Sequence, residues 1–305
     1  MQRAVAQRCY LRATDGAERP LTELGLAAAP LAVKHLSSTR SSGWRPRLVY
    51  RDKEWQGKEI EELANVFQGL RFMNDTTAET LRRALNRLDD DGALDLTGER
   101  FALFGAGAEI APTRALLEAG ATVMWTDVVP PPKELLELGG ELYHASGRSD
   151  LLLRPDEVAA TMAEFARAGP IHIGLFAYGP GQGREWRLGA AMNAALRALP
   201  RELVRSVGLL VSPTTPMVLD RDDAAVSTRR WEERPGWQKA LLAARVVIPA
   251  RSHPDLPQVA DTIVPLQGVS YQAAQWLEKT VAMEAIRADN PDLPISANVA
   301  PVTKT

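Results

Sequence analysis

The chain is short of the residues that staple, metallate or highly charge a protein. It has a single cysteine, Cys9, which excludes an intrachain disulfide and points to a reducing compartment. Its four histidines, His35, His144, His172 and His253, are scattered and leave no zinc-type ligand set, so no metal is expected. Neither sign of charge dominates: 36 Lys and Arg stand against 38 Asp and Glu, a net charge of -2. That balance gives no electrostatic footprint for nucleic acid and no acidic solvating tail. No stretch approaches the roughly 20 apolar residues of a membrane helix. The opening Met1 to Thr14 carries Arg3, Arg8 and Arg12 but no continuous apolar core, which argues against a secretory signal. The expectation is a cytoplasmic protein acting on a small-molecule substrate, with no nucleic acid and no membrane among its partners. Aromatics are scarce at 6%, beside 22 Gly and 21 Pro, a balance closer to an α/β enzyme than to a β-sandwich.

What is present is 305 residues with 45% hydrophobic content, enough for a sizeable core in one large or two modest domains. The texture changes near Gly98. Residues 1–97 read as an N-terminal extension, mainly helical and loop-rich. Ile60, Leu63, Ala64 and Phe67 recur at helical spacing, and Leu81, Leu85 and Leu88 follow an Asn74-Asp75-Thr76-Thr77 capping cluster. Arg47 to Tyr50 is a candidate short strand. Residues 98–305 alternate strand and helix. Apolar runs at 101–104, 122–125, 141–143, 171–177 and 207–211 are separated by helical patterns at 112–119, 156–168 and 185–199. Crossovers of this length favour a parallel sheet, and the fold class expected is α/β, a doubly wound parallel sheet of Rossmann-like type.

The strongest chemical signal is a glycine turn, Gly105-Ala106-Gly107, after the first strand of this body, with Asp127 at the end of the second. Glycines let the backbone turn sharply and approach a pyrophosphate. A following helix N-terminus offers free N–H groups, and an acid about 20 residues on can bind the adenosine ribose. Asp127 lies 22 residues beyond Gly105. The alternative reading is a tight turn with Asp127 as an ordinary polar strand end. A carboxylate here repels a 2′-phosphate, so NAD(H) is favoured over NADP(H). Glu109 stands where a third small residue is expected, and an anion facing a pyrophosphate opposes binding. If it points inward, there is no cofactor.

Taken together, Phe104-Gly105-Ala106-Gly107-Ala108-Glu109-Ile110-Ala111, the Leu117 to Val123 segment and Thr126-Asp127 resemble the short-chain dehydrogenase/reductase superfamily in a degenerate copy. Gly105 and Ile110 match the family's turn, while Glu109 and Ala111 replace its later glycines. Asp150, before the Pro155-Asp156 helix start, resembles the family's adenine-contacting aspartate. The Gly169 to Gly179 run, which includes Ala177, resembles the fourth strand with its usual ending replaced. Trp186 and Asn193 resemble the Trp-x6-Asn helix, whose asparagine supports a proton relay; Asn193 reads equally as a helix residue bonded to backbone. Val207 to Thr214 resembles the strand that delivers the catalytic serine, with Ser212 or Thr214 as the hydroxyl. The bland reading there is a Ser/Thr/Pro turn. Tyr271-Gln272-Ala273-Ala274-Gln275 resembles the Tyr-x-x-x-Lys signature, and Pro294 to Pro301 the sixth strand, which closes the nicotinamide pocket.

The resemblance covers about two thirds of the chain and implies an NAD(P)-dependent oxidoreductase acting on a small carbonyl or hydroxyl compound. Tyr271 would be the acid/base, with Ser212 or Thr214 and Asn193 orienting the oxygen; a homo-oligomer is also implied. Its main departure is Gln275. A lysine there would lower the tyrosine pKa and hold the nicotinamide ribose, and glutamine has no charge to do so. Lys279 is not a simple substitute, since eight residues along a helix place it about 12 Å away. The alternatives are therefore a related non-redox enzyme, such as a lyase, isomerase or cyclase, or a non-catalytic binding or assembly protein. An insertion at about 215–265 separates Ser212 from Tyr271, readable as a substrate lid or as a surface elaboration. The sixth-strand motif runs almost to Thr305, so the expectation is either a sheet completed by other means, such as the N-terminal 97 residues, or one without the family's last strand.

Overall fold

Runs such as Phe101 to Phe104 and Thr122 to Thr126 lack polar alternation, the pattern of strands covered on both faces of a parallel sheet. A computed structural model describes residues 10–12, 16–37, 43–70, 72–179, 181, 183–212, 217–219, 221–247, 258–260 and 268–300. Thr214 and Pro301 lie outside the described residues. The chain divides into two compact units, Met1–Ser212 with Val269–Thr305, and Pro213–Gly268.

In the first unit β1 (Tyr10–Arg12) and β2 (Glu18–Pro20) pair antiparallel, β3 (Lys34–Ser37) stands apart from them, and β4 (Arg47–Tyr50) pairs with β5 (Lys53–Gln56). Arg51 and Asp52 both hold positive φ, 49° and 61°. That is the two-residue turn whose twist matches an antiparallel hairpin. Helices α1 (Ile60–Gly69) and α2 (Asp75–Leu85) follow and bury Ile60, Leu85 and Leu88 against each other. The Asn74 side chain caps α2, accepting from the Thr77 N–H at 2.8 Å. The N-terminal segment therefore carries strands as well as the expected helices. It is also tied to the body: the Gly43 N–H donates to the Glu118 carbonyl at 2.7 Å, and the Leu31 N–H to Thr161 Oγ1 at 2.8 Å.

The body runs β6 (Arg100–Phe104), α3 (Thr113–Glu118), β7 (Thr122–Thr126), β8 (Glu141–His144), α4 (Pro155–Ala166), β9 (Ile171–Leu175), α5 (Arg184–Ala198) and β10 (Val204–Val211). The second unit contains β11 (Met217–Val218), α6 (Arg221–Glu232), α7 (Gly236–Ala243) and β12 (Val259–Ala260), with no buried residue in either helix. The first unit resumes with α8 (Val269–Gln275), a π-helical turn (Trp276–Val281), α9 (Ala282–Asp289) and β13 (Ile295–Val299).

Seven strands form the central sheet in the order β13-β10-β9-β6-β7-β8-β3. All neighbours are parallel except β3, which pairs antiparallel with β8 in the register Leu36↔Leu142. Every residue of β7 is buried, and Leu103, Val123, Trp125 and Leu142 meet Leu117 of α3 in one core cluster. The architecture is α/β with a mostly parallel sheet flanked by helices, compatible with a Rossmann-like fold. Counted by appearance, the six parallel strands lie 3-2-1-4-5-6. The order reverses between β6 and β9, the first and fourth of them. Among the described residues no helix is long and apolar enough to cross a membrane.

Candidate functional site

In open sheets of this kind ligands lie beyond the carboxyl ends of the strands, where the strand order reverses. Here that point falls between Gly105, just after β6, and Ala177, just after β9. Gly105 has φ +76°, and a Cβ on it would stand 2.4 Å from the Ala177 Cα and N. No side chain fits in that approach, so this glycine is required by packing between the two strand ends as well as by the turn. Its N–H donates to the Thr126 carbonyl at 2.9 Å.

Gly107 is exposed and donates its N–H to Asp127 Oδ2 at 2.9 Å, while Asp127 Oδ1 accepts from the Val129 N–H at 3.1 Å. A carboxylate has about four acceptor positions, so this pair leaves room on each oxygen for one further hydroxyl. Glu109 is exposed and Ile110 half-buried. Helix α3 starts at Thr113, eight residues after Gly105, and Thr113 Oγ1 donates back to the Ala106 carbonyl at 2.6 Å. The turn thus passes through irregular backbone before a helix of six residues, and an extended helix terminus is not what faces a ligand here. Asp150 lies in the loop after β8, where its Oδ1 accepts from the Leu152 N–H at 2.8 Å.

The second group gathers where β9, β10, α5 and α8 meet. Gln275, 1% exposed, donates its amide to Glu185 Oε1, and Glu185 Oε2 accepts from the Gly179 N–H at 2.7 Å. Gln275 is thus held by a buried carboxylate at the start of α5. Burial, the Glu185 charge and Tyr178 push the Tyr271 hydroxyl well above the usual phenol range. Ser212 is buried at the end of β10. Lys279, 4% exposed, donates to the Leu210 carbonyl on β10 at 3.0 Å. Burial pulls its ammonium down to about 8, against the opposing pull of Glu185.

The carboxylate of Glu185 therefore acts on both Tyr271 and Lys279. Along a straight α-helix at about 100° per residue the two would stand roughly 80° apart. The π-turn adds about one residue to a helical turn and removes most of that offset. Asn193 serves the same region from α5. Its amide donates to the Glu278 carbonyl at 2.7 Å and to Glu278 Oε2 at 3.0 Å, while its Oδ1 is buried without a partner. Glu278 needs the glycine it meets, because a Cβ on Gly189 would lie 2.5 Å from the Glu278 Cβ. Burial pushes the Glu278 carboxyl up, with the Asn193 hydrogen bond opposing.

The sequence-predicted residues fall into two places, Gly105, Gly107 and Asp127 at one and Tyr271, Gln275 and Asn193 at the other. Glu185 and Glu278 carry no motif, and sequence reasoning missed them. The only available signal was a glutamate directly after the Gly179 to Arg184 loop. Among the described residues no group of three or more His, Cys, Asp or Glu is placed to hold a metal ion. No protein-family model matches the chain, and a search of curated proteins finds no match.

Proposed function

We propose that this chain is a divergent protein of the short-chain dehydrogenase/reductase type, with a doubly wound Rossmann-like body, that binds NAD(H) and reduces or oxidises a small carbonyl or hydroxyl compound. The observation that carries the reading is the Asp127 carboxylate. It stands at the tip of the second parallel strand, holds the Gly107 N–H and retains acceptor capacity for a vicinal diol. The fit to a dinucleotide is best at this ribose end. Exposed Glu109 is solvated, which lessens its opposition to a phosphate. Bound NAD(H) would supply hydride chemistry; the chain's own residues would bind the ribose at Asp127 and present a hydroxyl at Tyr271.

Tyr271 stays protonated at ordinary pH, so it donates a hydrogen bond to a carbonyl oxygen more readily than it accepts a proton from an alcohol. The same anionic surroundings support a second reading, a non-redox enzyme or a binding protein on this scaffold, because the charge that acts on Tyr271 is the Glu185 carboxylate. A carbonyl panel with NADH, read by the absorbance of the reduced nicotinamide, separates the two. The oxidoreductase reading expects turnover that falls roughly 100-fold or more in Tyr271→Phe. Nucleotide binding without turnover on any carbonyl would favour the second.

A further inference from the structure

At the opposite, amino-terminal ends of the same strands, three side chains form a continuous hydrogen-bonded chain. His172 on β9 places Nδ1 2.7 Å from Ser206 Oγ on β10, and its Nε2 3.1 Å from Glu99 Oε2, just before β6. A carboxylate only accepts, so the imidazole proton sits on Nε2 and Nδ1 is left to accept from the serine hydroxyl. The ring is held in place by Phe101, stacked on it at 4.7 Å between centroids and 22° between planes. The pairing of β9 with β10 is irregular between Val204 and Ser206, so that Ser206 stands directly opposite His172 and Arg205 has no opposite number on β9. Bulges of this kind re-aim side chains and are common beside active sites. Arg205 turns its guanidinium onto the same Glu99 oxygen. Burial opposes the Glu99 charge, but the bonds from His172 and Arg205 outweigh it and hold the carboxyl below the usual range. Ser206 and His172 are both partly exposed.

A nucleophile, a base within hydrogen-bond reach and a third group that orients the base make up the general arrangement for covalent catalysis. We propose that Ser206, His172 and Glu99 form a second, esterase-type site, separate from the glycine turn, that takes small activated esters. Ser206 Oγ attacks the ester carbonyl carbon and gives its proton to His172 Nδ1. The carbon–oxygen bond to the alcohol or phenol breaks, and the leaving oxygen keeps the electron pair and takes that proton. Water then gives a proton to the same nitrogen and attacks the acyl-serine. The acid is released and Ser206 regains its hydrogen. Glu99 and Phe101 are positioning residues, and Arg205 is bonded to the Glu99 carboxylate.

The test is reaction of the full chain with a fluorophosphonate, in which the serine oxygen displaces fluoride, followed by peptide mapping. The expected result is a single adduct on Ser206, lost in Ser206→Ala together with hydrolysis of p-nitrophenyl acetate. Labelling should slow roughly 100-fold or more in His172→Gln. In Glu99→Gln labelling should slow, and Glu99→Asp, which keeps the carboxylate, should restore part of the rate; a contact without a positioning role would leave the labelling rate unmoved. An unlabelled Ser206 in the folded wild type would overturn the proposal. So would ester hydrolysis that survives Ser206→Ala, or a labelling rate indifferent to both His172→Gln and Glu99→Gln.

Discussion

Lys279 is the residue at which burial and charge oppose each other most directly. Its ammonium is pulled from 10.5 to about 8 in the fold, so between pH of about 8 and 10.5 the unfolded chain holds a proton that the folded chain has released. Stability from this group therefore rises with pH across that window, and the penalty is fully present below it. The span corresponds to roughly 3 kcal/mol at most. Denaturant unfolding at pH from about 7 to 10 should show the wild type gaining stability and Lys279→Met gaining much less. Tyr271, shifted upward, adds its own effect only above the ordinary phenol pKa. Little of this was legible in the sequence. The spacing from Tyr271 to Lys279 was read along a straight helix, and nothing in Trp276 to Val281 announces the π-turn there. The resemblance singled out Gln275, but its partner Glu185 lies 90 positions away and carries no motif.

At the level of elements, local pattern and long-range pairing differ in what they disclose. Strands such as β7 were readable because both-face burial demands apolar runs, and α2 because Asn74 announces its cap. That cap supports a simple expectation: Asn74→Ala should cost about 1 kcal/mol, read as a lowered urea midpoint with an unchanged slope. Strand β3 was not readable. Lys34-His35-Leu36-Ser37 has one apolar residue in four, and its place at the sheet edge rests on pairing with residues more than a hundred positions on. The β4–β5 hairpin was half legible, since Arg47 to Tyr50 looked like a strand but Arg51-Asp52 lacks the glycine that usually marks such a turn. The helix after the glycine turn was read at 112–119 and stands at Thr113–Glu118; what the sequence did not disclose is that the Thr113 bond to Ala106 and the Asp127 bond to Gly107 shape the turn before it.

On the scale of the whole molecule, one parallel sheet presents chemistry at both ends of its strands. The carboxyl ends hold Asp127 against the glycine turn and a buried Glu185, Gln275 and Lys279 group; the amino ends hold Ser206, His172 and Glu99. Between β10 and α8 the chain builds a separate unit, Pro213–Gly268, whose two helices bury none of their residues. The functional account depends most on the carboxyl ends, where the Asp127 carboxylate is the group proposed to hold a ribose. Calorimetric titration of the full chain with NADH and with NADPH, on the wild type and on Asp127→Ala, tests that directly. The account expects saturable binding of NADH, weaker binding of NADPH because of repulsion between the carboxylate and a 2′-phosphate, and a loss of about tenfold or more in NADH affinity in the variant. Absence of binding by either nucleotide at millimolar concentration, or NADH affinity unchanged in Asp127→Ala, would contradict it.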